Sequence, residues 1–263
     1  MTGNMLMFWE SVIEGLLLLL DWHVLVGMAT ACIICVLHPI LTTAIAGEGK
    51  SGTRIGTGFF MFLFGGLFFQ ALAISAFVLL CLPTLIGSGG FTPLNILAPM
   101  LWPVLKAGLA AMFVVVILSL IPVLGSFITN TPGVAIFLQG ILILRPLSYS
   151  IFYIATDGNK LPVSAFPSFI HSLAYLGISI LFCLAGSILI FLVSSAIGKR
   201  RDSVSALLGP DYAQPSTASM FVGMTIGPIA GTIPLLMYGR FIGLSIQVLM
   251  PSLGLQVLSG QLA

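Results

Sequence analysis

The chain reads as an all-α, polytopic transmembrane helical bundle, and three features of its composition carry that reading. Acidic and basic residues vanish from long tracts: none occurs between Arg54 and Lys106, from Ala107 to Leu144, from Leu161 to Gly198, or from Tyr212 to Gly239. Of the 263 residues, 59% are hydrophobic and 6% charged, with a mean hydropathy of +1.19. The apolar tracts are continuous, whereas barrel strands alternate apolar and polar positions. A water-soluble fold needs charged surface. A bilayer selects against it, because a charge at the centre of a spanning helix costs roughly 2.5–3.5 kcal/mol even on the mildest scale. Several tracts exceed the ~20 residues that cross the hydrocarbon core. No stretch is long and polar enough for a separate soluble domain, so residues 1–263 form one integral membrane domain.

The elements follow in order. Residues 7–21 place Glu10, Glu14 and Asp21 around an apolar body, with Glu10 and Glu14 on one helix face, which predicts an N-terminal interfacial helix. The opening Met1–Glu10 lacks a basic n-region, so insertion is expected through the first spans themselves. Six spans are predicted, over about 22–46, 56–82, 104–128, 132–156, 168–197 and 218–239. Trp22 anchors the first at headgroup level, and Gly47–Arg54 is a polar loop. Thr84–Pro103, with Pro93, Pro99 and Pro103 following Pro83, reads as a surface or re-entrant loop. Thr129–Gly133 is a tight turn in which Pro132 opens the fourth span. A polar loop is expected from Lys199 to Ser216. The apolar C-terminal tail, Phe241 to Leu258, follows the sixth span without a turn, and it can continue as a helix, fold back or lie in the interface.

Orientation follows from basic residues. With the N-terminus outside, Lys50, Arg54, Lys199, Arg200 and Arg201 are cytoplasmic, against Lys106, Lys160 and Arg240 outside. Both termini are then on the outer side of a bacterial inner membrane or its equivalent.

Arg145 is the sharpest anomaly, because it falls midway along its span and Pro146 follows it. Pro146 frees the Leu142 carbonyl, and the guanidinium beside it has donors to spare. On a helix, Arg145 shares a face with Ser148, Tyr149, Phe152 and Thr156, a stripe suited to an anion, a lipid headgroup or a partner subunit. A structural cation that snorkels is the simpler alternative. In the sixth span, Gly223, Gly227, Gly231, Gly239 and Gly243 keep a four-residue period, with Leu235 in the gap. Such a ridge lets backbones approach, either within the chain or toward a partner. Pro228 and Pro234 are expected to break the same helix, as happens at transporter sites.

His23 and His171 both open spans on one side and raise the thought of a bis-His haem. Lone histidines at helix ends more often hydrogen-bond locally, and no cofactor is expected. Cys32 and Cys35 share a helical face without a basic neighbour to activate a thiol. With Cys81 and Cys183 they read as small buried side chains. No nucleotide loop, zinc-protease motif or serine triad is readable, and no metal site. The net charge of +2 gives no reason to expect nucleic acid. The sequence therefore suggests a non-catalytic integral subunit of a larger membrane complex of respiratory, photosynthetic or secretion type. It would contribute helix packing and lipid organisation, with membrane lipids and other membrane subunits as partners. The alternative is transport, by a small permease or channel whose path passes Arg145 and the sixth span.

Overall fold

The computed structural model describes residues 2–46, 66–86, 94–122, 132–155, 158–208 and 217–252. The loop at 47–54, the first ten residues of the expected second span, the turn at 129–131, Thr156, Asp157, residues 209–216 and the tail beyond Ser252 lie outside them. The described residues are mostly helical, with no strand among them. The helices are α1 (Thr2–Leu17), α2 (Trp22–Ala46), α3 (Gly66–Ile86), α4 (Leu94–Ser119), α5 (Pro132–Ala155), α6 (Phe169–Leu208) and α7 (Thr217–Ser252).

Local chemistry explains several boundaries. Asp21 caps α2: its Oδ1 accepts the His23 N–H at 2.8 Å, and its carbonyl accepts the Leu25 N–H at 3.0 Å. The same acid breaks the chain direction, for α1 and α2 are bent by 79° across it. Ser168 does the equivalent for α6, accepting the His171 N–H and, through its carbonyl, the Ser172 N–H at 2.8 Å. Pro132 is the first residue of α5, where its missing N–H is harmless. Past the other end of α5, Gly158 adopts φ 103° and donates its N–H to the Tyr153 carbonyl.

Four described segments are long and apolar enough to cross a membrane: Met100–Ser119, Gly133–Tyr153, Val163–Val193 and Thr225–Leu249. The bent α1–α2 pair makes a fifth if taken as one broken span, while the apolar part of α3, Gly66–Cys81, is shorter. The described residues thus form an all-helical fold, and their long apolar helices are those of a membrane-embedded chain.

Three expectations are corrected. Thr84–Ile86 complete α3, and Leu94 to Pro103 belong to α4, so the part of the expected proline loop that is described is helical. In an apolar setting helices tolerate proline, because neighbouring groups re-satisfy the freed carbonyls. Lys199–Leu208 is the last stretch of the 40-residue α6, so helix replaces the first half of the expected polar loop. Pro228 and Pro234 do not break α7, which runs 36 residues to Ser252 and takes the first part of the tail with it.

The core forms around α7. It packs against α1, α2, α3, α5 and α6, and 89% of an 18-residue stretch within Thr225–Leu249 is buried. Its small residues allow this: a Cβ at Gly231 would lie 2.5 Å from the Gly133 carbonyl oxygen of α5. One at Gly239 would meet Leu85 of α3 at 2.9 Å. By contrast α6 packs on α7, α5 and α1 by one side, and in the most apolar 18-residue stretch of Val163–Val193 only 18% is buried. α1 lays Phe8, Ser11 and Gly15 onto the bundle while Met5, Leu6, Trp9, Ile13 and Leu17 stay exposed. It is more than a surface-lying helix, since its inner face is part of the core.

Candidate functional site

Arg145 projects from α5 on the outside of the bundle and is exposed. Its Nε donates to the Tyr238 hydroxyl of α7 at 3.0 Å, and its guanidinium carbon lies 5.5 Å from the Phe166 ring centre. Tyr149, one turn further along α5, packs on the same Phe166 ring with centroids 4.9 Å apart. Arg145 and Tyr149 therefore share an aromatic wall. Ser148 does not join them: it is buried and donates to the Leu144 carbonyl at 2.7 Å. Phe152 belongs to the core, and Thr156 lies outside the described residues. The polar stripe expected from helical spacing thus reduces to Arg145 and Tyr149.

Arg145 lies midway along α5, and the helices packed on it continue past its level, α4 by twelve residues beyond Lys106 to Leu94 and α7 by fourteen beyond Tyr238 to Ser252. Phe166 precedes the first turn of α6, and Tyr238 packs on Tyr175 at 5.7 Å, two turns into α6. Trp22, 68% exposed, starts α2, where α2 leaves α1. Trp102, 61% exposed, lies under Lys106 at 5.0 Å. Lys106 precedes Gly108, which faces Ile143 across the antiparallel α4–α5 contact, so Lys106 and Arg145 are level. Trp9, 55% exposed, packs on Phe8, which stacks on His171 at the start of α6. All three tryptophans of the chain thus gather, exposed, toward the end of the bundle where α2 and α6 begin.

The same end holds a pair that the sequence did not announce. Glu14 of α1 accepts from the Arg240 Nε of α7, and Arg240 Nη1 donates to the Leu85 carbonyl at 3.2 Å. The side chains are 33% and 14% exposed. Nearby, Ser11 donates to the Phe8 carbonyl at 2.6 Å, so the buried Tyr175 hydroxyl, 2.5 Å away, donates to Ser11. Ser245 donates to the Met7 sulfur at 3.2 Å. This corrects the reading of α1 acids as interfacial only, since Glu14 sits against the interior of Thr225–Leu249. The available signal was Arg240, an isolated charge in apolar sequence that needs a counter-charge. Among the described residues the ion pairs are Glu14–Arg240 and Asp21–His23, and neither includes Arg145.

The glycine ridge turns inward: Gly227, Gly231, Gly239 and Gly243 are buried within the bundle, while the surroundings of Gly223 are not described. Gln139, also missed, is fully buried with neither amide atom hydrogen-bonded among the described residues. His23 Nδ1 meets Asp21 at 3.1 Å, and His171 Nδ1 meets Ser168 at 2.9 Å. The four cysteines are free, with Cys35, Cys81 and Cys183 buried. Among the described residues no cluster of three His, Cys, Asp or Glu is disposed to hold a metal. A small groove between α3 and α4, lined by Phe68, Ala71, Leu72 and Leu105 among others, holds about 10 Å³, at the lower limit for one water.

Neither protein families, nor curated proteins, nor solved structures yield a match to this chain. The functional reading therefore rests on the geometry alone. That geometry offers a cation held ready on an aromatic wall, an ion pair strapping α1 to the central helix, and a long helix with little of its surface covered.

Proposed function

We propose that this chain is a non-catalytic integral subunit of a larger membrane assembly, contributing helix packing and lipid organisation. The observation that carries the reading is α6. Its 40 residues extend roughly 60 Å at the usual helical rise, about twice the ~30 Å hydrocarbon core. Leu181, Leu184, Ile188, Leu189, Phe191 and Leu192 are all exposed along it. Beyond this apolar stretch the helix goes on through Lys199–Arg201. An apolar helix face of this length can pack on the helices of a neighbouring subunit, where close packing is the main adhesive in lipid. In this reading α2 to α7 make six crossings, both termini face outward, and the Lys199–Arg201 end of α6 is cytoplasmic. Alternating contacts favour it, for Gly186 meets Ile226 and Tyr175 meets Tyr238 along antiparallel α6 and α7. A bacterial inner membrane or an equivalent is the proposed location, with no redox cofactor.

The test is native mass measurement after mild detergent extraction. A larger species containing other membrane proteins is expected, weakened when Leu184, Ile188 and Leu192 are replaced together by alanine. A chain that runs alone under conditions preserving known complexes overturns the reading.

A second reading, a small permease, gains one observation: the Glu14–Arg240 pair puts a carboxylate inside the bundle. Ion flux in proteoliposomes that is abolished by Glu14→Gln, with the chain still folded, would favour this reading over the first.

A further inference from the structure

We propose that Arg145 is the phosphate-binding residue of an anionic-phospholipid site on the outside of the bundle, walled by Tyr149 and Phe166 and anchored by Tyr238. The proposal extends the reading above to a named ligand class; it rests on the membrane placement given there and does not require partner subunits.

Charge is the first argument. Arg145 is exposed, is outside both ion pairs found among the described residues, and lies on an apolar helix surface. A cation in that setting recruits an anion or water, since an unpaired charge in lipid is costly. Pre-organisation is the second. The Nε–H engages Tyr238 at 3.0 Å and the guanidinium rests 5.5 Å from the Phe166 ring centre, which leaves both Nη groups for a ligand. Held this way, the guanidinium offers parallel N–H donors that match two phosphate oxygens. Tyr149, 38% exposed on the same wall, adds a hydroxyl at the rim.

Depth is the third argument, and it selects the ligand. The exposed tryptophans Trp9, Trp22 and Trp102 gather toward the end of the bundle where α2 and α6 begin, and exposed tryptophans collect at the headgroup level. Lys106, level with Arg145 and stacked on Trp102, follows the same pattern. A carboxylate on a partner helix has similar hydrogen-bonding chemistry, yet it can arrive at any depth. A phospholipid phosphate comes to the tryptophan level, one turn beyond Arg145 as Trp102 lies one turn beyond Lys106, within reach of a snorkelling guanidinium.

The experiment is native mass measurement of the full chain in mild detergent with added phosphatidylglycerol, phosphatidylcholine or inorganic phosphate. Wild type is expected to retain phosphatidylglycerol above phosphatidylcholine, and inorganic phosphate should not displace it. Arg145→Gln should weaken phosphatidylglycerol roughly tenfold, the equivalent of one charge-assisted hydrogen bond. Should that variant fail to accumulate, Arg145→Lys and Tyr238→Phe serve instead. Each is expected to lower phosphatidylglycerol retention and to shrink the rise in melting temperature that this lipid gives wild type. Unchanged retention in these variants overturns the site, and so does displacement by inorganic phosphate, which would mark a small-anion site. A partner protein lost in Arg145→Gln while the lipid adduct persists also overturns it, in favour of a partner carboxylate. Lipid and protein are read as separate masses, so failure of this site and failure of the subunit reading are distinguishable.

Discussion

A methyl group added to α7 at Gly231 would meet the Gly133 carbonyl at 2.5 Å and Ile136 at 2.6 Å, whereas one at Gly177 of α6 meets nothing within 4 Å. A carbonyl oxygen cannot swing aside like a side-chain tip, so α5 and α7 would have to separate. Gly231→Ala is expected to destabilise by about 1–3 kcal/mol, the usual range for overpacking. Gly177→Ala should be neutral or slightly favourable, because alanine is the better helix former. Melting of the two variants in the same detergent checks this, and equal melting would show that α7 does not pack on α5 as described. At this scale the sequence was informative about kind and poor about surroundings. The four-residue glycine period announced close backbone approach, because only small residues repeat that way for a reason of packing. Arg145 and Tyr149 were legible as polar residues out of place. Ser148 was not, since a serine can close a hydrogen bond on its own helix, as it does to Leu144. Nor could spacing show which hydroxyl would meet the guanidinium, because Tyr238 lies 93 residues away.

Among the elements, α2 and α5 were read closely because their starts are written locally, by the Asp21 cap and by Pro132. Proline rules drawn from solvated helices misled at α4 and α7, where packing against neighbours outweighs the missing N–H groups. Continuity of α7 has a direct measure. Spin labels at positions 229 and 248, both exposed, should lie roughly 28 Å apart at 1.5 Å per residue. A re-entrant hairpin at Arg240 would bring them far closer. The strap between α1 and α7 is equally open to measurement. Arg240→Met strands Glu14 and is expected to cost on the order of 2 kcal/mol, less than the ~3–5 of a fully buried pair because Glu14 is 33% exposed. Replacing Glu14 by Gln in that background should cost little more, and a double-mutant cycle reads the coupling. Simple additivity would mean that the pair does not hold α1.

For the whole molecule, the direction in which it crosses the membrane is the coarsest open variable. With Arg145 within its span, the other basic residues of the sequence divide five against three. The proposed orientation then leans on the run Lys199–Arg201, close behind an apolar segment where basic residues count most. A cysteine at position 200 should be labelled only after the cytoplasmic face is opened, and labelling from the outside would invert the topology. The class of fold was legible because charge depletion is a property of whole tracts. The relative offset of the helices was not, because it is a sum of contacts between distant residues. One of those contacts has a consequence for biosynthesis. Glu14 and Arg240 are separated by 226 positions, so α1 leaves the ribosome long before its counter-charge exists. At about 5–20 residues per second, the wait is on the order of tens of seconds, during which the inner face of α1, Phe8 and Ser11 included, has no central helix to rest on. Closure of this strap is therefore a late event in assembly, and a nascent chain stalled before Arg240 would still offer α1 to proteases and chaperones.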